Sequence, residues 1–383
     1  MDVYLDNAAT TKLDERVLEK MKPYFTEKYG NASSIHHMGQ ESSVLLTKCK
    51  EEIAKRINGD PDNIIFTAGG TESNNMILKG VARANQGKGK HILVSSIEHA
   101  SVLKPAEQLK KEGFDVELIP VNSGGFVELD QIKKMIRPET ILISVMTVNN
   151  EIGTIQPVEQ IARFARKNGI YFHTDAVQAI PYKDIDIKDW NVDFLSLSAH
   201  KFYGPKGVGL AYIDRKINIE PQVIGGGQEY GLRGGTYNLP SIVGMTEALK
   251  LIYQEKDEYI NRVFELSQYL WKRIKEEIDE VAINGDPGNR TPNNLNVMFR
   301  RIEGEAILMD LSTKGICVST GSACSAINLK ASGVLQAIGL EDYHLNSNIR
   351  FSLGKFTTKE EIDYTVSCLV DTVKRLRSFT PIK

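Results

Sequence analysis

Lys201 follows a stretch whose composition changes abruptly. The apolar, β-rich run 192–197 gives way to Ser198-Ala199-His200-Lys201, and Gly204-Pro205 then breaks the backbone. Such a run sets the lysine at a strand tip, where open α/β sheets bind ligands. An amine partly desolvated there loses its proton more readily and can form a Schiff base with a carbonyl compound. The pattern also fits an ordinary surface lysine, so the rest of the chain decides. Phe66-Thr67-Ala68-Gly69-Gly70-Thr71 runs from a strand through glycines into a helix. Backbone N–H groups at that helix start, with the Thr71 hydroxyl, form an anion site. No Gly-Lys-Ser/Thr follows, so the stretch is not a P-loop. Asp175 and Gln178 come just past another apolar strand, and His99 just past a third. A carboxylate placed like Asp175 suits a protonated ring nitrogen, and equally the cap of a following helix. An imidazole like His99 can stack on a ring and shuttle protons, or be structural. Arg350 offers a guanidinium fork for a carboxylate, although many strand arginines are solvated.

Amine, anion cradle, carboxylate and imidazole are together the parts a pyridoxal phosphate site needs. The cysteines add one more candidate. Cys49 and Cys368 fall on apolar helical stripes, and Cys317 lies between Ile316 and Val318 in a short β-like run, so all three are expected to be packed. Cys324 differs: Ser319-Thr320-Gly321-Ser322-Ala323-Cys324-Ser325-Ala326 is small and polar, which leaves a thiol accessible. Four cysteines in 383 residues make no disulfide framework, and Cys317 with Cys324 is a poor zinc pair. The adjacent His36 and His37 have no nearby carboxylate or thiol in sequence, and read as loop residues rather than metal ligands.

These residues need a scaffold. From about residue 63 to 213, β-rich runs alternate with amphipathic ones: strands at 64–66, 91–95, 116–120, 141–146, 170–173, 192–197 and 208–213, with helical patterns between them. The alternation predicts an α/β fold with a mostly parallel seven-stranded sheet flanked by helices. After a glycine-rich loop at 224–236, a helical pattern runs from about 240 to 278, as two helices or one connector. A second, smaller α/β unit follows, with strands at 295–299 and 349–353 and helices at 303–313 and 359–376. The expected division is a large domain over residues 14–255 and a small one over 1–13 and 256–383, carrying the Cys324 loop at about 319–333.

Charge excludes some functions. Lys+Arg 47 against Asp+Glu 49 gives a net charge of -2, which argues against bulk attraction to nucleic acid. The apolar runs are strand-length, and the first residues lack a basic start and an apolar signal core. The expectation is a cytoplasmic protein that engages neither membrane nor nucleic acid.

Several motifs resemble one family in order. They are Tyr4-Leu5-Asp6-Asn7-Ala8-Ala9-Thr10-Thr11, Thr71-Glu72-Ser73-Asn74, Glu98-His99, Asn149-Asn150-Glu151-Ile152-Gly153, Asp175-Ala176-Val177-Gln178, the Ser198–Gly207 stretch and Gly321-Ser322-Ala323-Cys324-Ser325. From residue 3 to about 382 the chain is similar to the cysteine desulfurases of the NifS/IscS type, which are class V, fold-type I pyridoxal phosphate enzymes. The resemblance implies that Lys201 bears the coenzyme, His99 stacks on its ring, Asp175 meets the pyridine nitrogen and Gln178 the phenolic oxygen. Gly70, Thr71, Ser198 and His200 would hold the phosphate, with Ala199 also in the coenzyme site. Thr236 would reach the phosphate of a neighbouring subunit, making a homodimer. Asn150 and Arg350 would bind the carboxylate of L-cysteine, and Cys324 would take its sulfur as a persulfide and pass it to an acceptor, such as an iron–sulfur scaffold protein. Cys324 could also share a transient [2Fe-2S] cluster with a partner.

The chain departs from the family pattern at Ala68-Gly69-Gly70, where Ser-Gly-Ala is common, at Ala199, where glycine is common, and at Gly234, where serine is common. It also ends soon after Pro381, without the longer tail that docks housekeeping members on their scaffold. Three other readings stay in view: a selenocysteine lyase, an aminotransferase, and a non-enzymatic iron–sulfur scaffold. The accessible thiol argues against an aminotransferase, and one cysteine cannot complete cluster ligation alone.

Overall fold

The computed structural model describes residues 1–321 and 332–379; Cys324 and residues 380–383 lie outside the described residues. Twelve strands are present among the described residues. They are β1 (Val3–Tyr4), β2 (Ile64–Thr67), β3 (His91–Ser95), β4 (Asp115–Ile119), β5 (Thr140–Ser144), β6 (Tyr171–Asp175), β7 (Phe194–Ser198), β8 (Gly209–Ile213), β9 (Val281–Ile283), β10 (Asn294–Phe299), β11 (Ile316–Cys317) and β12 (Asn348–Ser352).

Seven of these form one sheet in the order β2-β8-β7-β6-β5-β3-β4. β3 to β7 pair in parallel, while β8 is antiparallel to both its neighbours. β2 therefore runs in the same direction as β7, and the C-terminal tips of β2, β3, β5, β6 and β7 open on one edge. That common edge is where the candidate chemistry lies. Every residue of β2, β3, β5, β7 and β8 is buried, which explains their continuous apolar sequences. Helices cover both faces. Phe172 packs in the core on one face and Phe194 in the core on the other. Burial of each such ring stabilises the fold by about 2 kcal/mol.

A three-stranded antiparallel sheet, β12-β10-β9, and the short parallel pair β1-β11 make up the C-terminal part. The chain start belongs with it, because β1 pairs with β11 and Asp6 bridges to Ser352 at the end of β12. The helical pattern near 240–278 is a single helix, Leu239–Glu277. Asn238 caps its start through Ser241 N–H, and no glycine or proline interrupts it after Gly244. One end packs on the helices Glu15–Met21 and His37–Arg56, and the helix also packs on Lys359–Phe379, so one element joins both sheet systems.

The structure moves several strand ends by one or two residues and corrects one burial expectation. Cys317 is exposed. In β11 the side chains alternate, so Ile316 turns inward and Cys317 outward, despite its apolar neighbours. Cys49 is buried and Cys368 half-buried. Among the described residues, no helix is long and apolar enough to cross a membrane.

Candidate active site

The edge formed by the strand tips holds a cavity of about 250 Å³, lined by Gly70, Thr71, His99, Asn150, Asp175, Gln178, Ser198, His200, Lys201 and Arg350. Ten residues named from sequence thus meet at one place, from five strand tips and from β12. Two others do not. Ala199 is fully buried behind the cavity, and its N–H donates to Val208 O. Thr236 is exposed and borders a different cavity, near Gly207 and Glu229. Cys324 lies outside the described residues.

Lys201 sits in the one-turn helix Ala199–Lys201 that ends β7. Its Nζ donates to Ala8 O at 2.6 Å and Ala9 O at 2.8 Å. The loop after β1 therefore holds the amine in the cavity, and Gln178 Nε2 donates to the same Ala8 O at 2.8 Å. On the opposite wall the helix Gly70–Asn85 begins at Gly69, with no side chain capping it. Its first turn offers N–H groups and the positive end of its dipole to an anion. Gly209 makes that turn possible, since a Cβ there would stand 2.7 Å from Gly69 Cα. A Cβ on Gly70 would be 2.8 Å from Val177 Cγ2, so the helix start also needs its glycine against the Asp175 turn.

Asp175 ends β6 almost fully buried. Its Oδ1 accepts from Val177 N–H at 3.0 Å and its Oδ2 from Asn74 Nδ2 at 2.7 Å. His99 caps the helix Ala100–Lys111, accepting from Ser101 N–H, and its Nδ1 lies 2.8 Å from Ser101 Oγ. Burial, and secondarily the Lys201 charge, push the imidazole pKa below 6.5, while Asp175 pulls the other way; His99 is neutral at neutral pH. His200 is pushed down to about 4, first by burial and then by the Lys201 and Lys206 charges, and its Nδ1 faces Thr10 Oγ1 at 3.1 Å.

Arg350 is 1% exposed. One of its terminal nitrogens donates to Asn150 O at 2.9 Å and the other to Asp6 Oδ1 at 2.7 Å, while its buried Nε has no hydrogen-bond partner. A buried donor without an acceptor is costly, and a carboxylate entering beside the guanidinium would satisfy it.

Sequence reasoning gave no role to Asn74, Asp6 or Glu98. Glu98 is buried next to His99, and its Oε1 accepts from Met146 N–H. Burial and then the nearby Asp175 charge hold its carboxyl well above the usual carboxylate range. The Asn74 and Asp6 contacts cross long stretches of chain, and only the tertiary fold brings them into view. His91, Asp115 and Glu117 also cluster at the far side of the sheet, but the Arg137 guanidinium pairs with both carboxylates there.

Amine, carboxylate and uncapped helix start line one cavity, and they are the groups pyridoxal phosphate needs: an amine for its aldehyde, a carboxylate for its ring nitrogen and N–H groups for its phosphate. The residues fit the coenzyme, and fold and cavity together define a fold-type I pyridoxal phosphate enzyme. Comparisons with known proteins agree. The family model described as aminotransferase class-V matches residues 3–365. Cysteine desulfurase IscS of Dictyoglomus turgidum is 48% identical over 100% of this chain and 97% of its own. The human cysteine desulfurase is 43% identical over 99% of this chain and 83% of its own. The solved structure of a NifS-like protein superposes with a TM-score of 0.93 at 39% identity, covering 98% of this chain and all (100%) of that one. Another, SspA in complex with cysteine, gives 0.83 at 36% identity over 93% and 100%. The chain belongs to the class-V aminotransferase family and, within it, to the pyridoxal-phosphate-dependent cysteine desulfurases.

Proposed function

We propose that this protein takes sulfur from L-cysteine, releases L-alanine, and carries the sulfur as a persulfide on Cys324 for delivery to an acceptor in iron–sulfur cluster assembly. The observation that carries the reading is the Lys201 amine held inside a cavity that also contains Asp175, an uncapped helix start and the under-satisfied Arg350.

Pyridoxal phosphate, when bound, supplies the electron sink for the pair released at the substrate Cα. Asp175, fixed by Asn74 and Val177, would lie beside the ring nitrogen, where a carboxylate favours the protonated ring. Neutral His99 can lie against the ring without adding charge. Arg350 and Asn150 hold the substrate carboxylate, which turns the Cα–H bond toward Lys201. The Lys201 amine would accept the Cα proton and return it. Cys324, as thiolate, attacks the substrate sulfur: the Cβ–S bond breaks and an S–S bond forms. Cysteine plus the enzyme thiol thus give alanine plus the enzyme persulfide, with every atom conserved.

The same reading assigns a homodimer in which Thr236 reaches the neighbouring subunit's phosphate; its exposure outside the cavity is consistent with that role. It includes the two-domain division, supported by the pairing of β1 with β11. It also includes a cytoplasmic location, a scaffold or other sulfur-accepting partner, and Cys324 as a shared ligand of a transient cluster. The test is an alanine and sulfide assay with L-cysteine and a reductant, on wild type and Cys324→Ser. The wild type should be yellow and active; the variant should stay yellow and lose sulfur release. Sulfur transfer retained by the variant would remove Cys324 from the reaction. Amino-group exchange with a keto acid, indifferent to the serine, would make the protein an aminotransferase.

A further inference from the structure

Thr11 has no part in the chemistry above, yet its hydroxyl spans the backbone of Lys201. The side chain is buried. Its Oγ1 donates to His200 O at 2.9 Å and accepts from Tyr203 N–H at 2.8 Å, so one oxygen meets the carbonyl just before Lys201 and the amide two residues after it. Thr11 N–H donates to the same His200 carbonyl at 2.9 Å. The preceding threonine meets a side chain instead, since Thr10 Oγ1 lies 3.1 Å from His200 Nδ1.

The turn held this way is one the backbone does not favour on its own. Tyr203 has φ 66°, in the left-handed region that an aromatic residue rarely enters. Such a conformation persists only where the surroundings over-determine it. Here Thr11 fixes the Tyr203 amide, Asp14 N–H donates to the Tyr203 carbonyl at 3.0 Å, and the Tyr203 hydroxyl accepts from Lys355 N–H at 2.8 Å. The far end of the lysine is tied to the same short loop, because Lys201 Nζ donates to Ala8 O and Ala9 O. Residues 8–11 therefore hold Lys201 both at its backbone and at its amine, although Thr11 and His200 are 189 positions apart in sequence.

We propose that Thr11 is a positioning residue for Lys201: through His200 O and Tyr203 N–H its hydroxyl sets the turn from which the lysine side chain enters the cavity, and with it the place of the amine. The proposal rests on the functional reading above, in which that amine carries the coenzyme and moves the Cα proton. Both tasks need a fixed turn, because a reacting group displaced by about 1 Å can lose about 100-fold in rate. Valine keeps the shape of Thr11 but strips the bridge, leaving the buried Tyr203 amide without its acceptor. Serine keeps the bridge and loses only a methyl group. A threonine that served folding alone would move the melting midpoint and leave the behaviour of the amine unchanged.

The experiment uses the full chain and two readouts. The rate at which yellow absorbance returns when pyridoxal phosphate is added to the resolved enzyme reports the lysine–coenzyme link with no cysteine present. Steady-state alanine formation by the loaded enzyme gives kcat and KM. Thr11→Val should slow the return of colour about 10- to 100-fold and lower kcat by a similar factor, with KM within about threefold of wild type. Thr11→Ser should stay within about threefold of wild type in both rates, since it keeps the hydroxyl. Thr11→Ala, which also lacks the hydroxyl, should be as slow as Thr11→Val and takes its place if valine prevents folding. The proposal is overturned if the variants without the hydroxyl keep the wild-type rates, if their KM rises as much as kcat falls, or if Thr11→Ser is as slow as they are. A wild type that takes up the coenzyme but makes no alanine would overturn the functional reading, while the rate of colour return would still decide the role of Thr11.

Discussion

Asn74 ties Asp175 to the residues around His99. Its side-chain Nδ2 donates to Asp175 Oδ2 at 2.7 Å and to Ser101 Oγ at 2.8 Å, and that hydroxyl lies 2.8 Å from His99 Nδ1. The carboxylate proposed for the ring nitrogen and the imidazole proposed for the ring face are thus linked through one amide, on the helix whose start is proposed to hold the phosphate. The amide is held tightly for its task, and its Oδ1 is buried without a partner.

Loss of that amide should loosen the coenzyme. Asn74→Ala removes the donor to Asp175 Oδ2, leaving that carboxylate with Val177 N–H, and the donor to Ser101 Oγ, a cost of about 1–3 kcal/mol. The dissociation constant of pyridoxal phosphate, measured by titrating the resolved enzyme, should rise about tenfold or more. Lys201 should still be the attachment point. An unchanged constant would show that Asp175 orients itself.

Buried histidines predict how stability depends on pH. His173, between Ser144 Oγ and Ser196 Oγ, has its pKa lowered by burial from 6.5 to about 3, and His200 is lowered to about 4. Below pH 6.5 the unfolded chain binds protons that the folded chain refuses, so stability falls as pH drops from about 6.5 toward 4. Each such histidine contributes a slope of at most about 1.4 kcal/mol per pH unit. Thermal melts between pH 7 and 5 should show a falling midpoint, with a shallower fall in His173→Gln. Equal slopes in the two proteins would contradict the assignment.

Arg350 should be irreplaceable by lysine. Arg350→Lys keeps a charge opposite Asp6 but loses the planar fork that reaches Asp6 and Asn150 O while leaving Nε for the substrate. The KM for L-cysteine should rise about 10- to 100-fold, the value of a charge-assisted hydrogen bond, with coenzyme absorbance retained. A variant with normal KM would place the substrate carboxylate elsewhere.

Much of this site was legible in the sequence because its chemistry sits at strand tips. Lys201, Asp175 and His99 each follow an apolar run of strand length, and parallel strands all present the same tip to the same edge. What stayed hidden depends on contacts between distant parts of the chain. Asp6 and Arg350 lie 344 residues apart, and nothing local distinguishes Asp6 from a loop aspartate. Asn74 sits on the buried face of an amphipathic helix, where an amide shows no periodic signal. Cys317 was misjudged because its neighbours are apolar, whereas the period of two in a strand sends it outward. The helix Leu239–Glu277 was open to two readings because its apolar stripe serves separate packing partners at different points along its length, a distinction absent from its pattern.

The central claim is that the Lys201 amine carries the coenzyme. Borohydride reduction of the purified yellow protein, followed by mass mapping of its peptides, reads that bond directly. The account predicts a pyridoxyl phosphate adduct on the peptide containing Lys201 and no adduct in Lys201→Ala. An adduct on another lysine, or none in a protein that still makes alanine from cysteine, would contradict it.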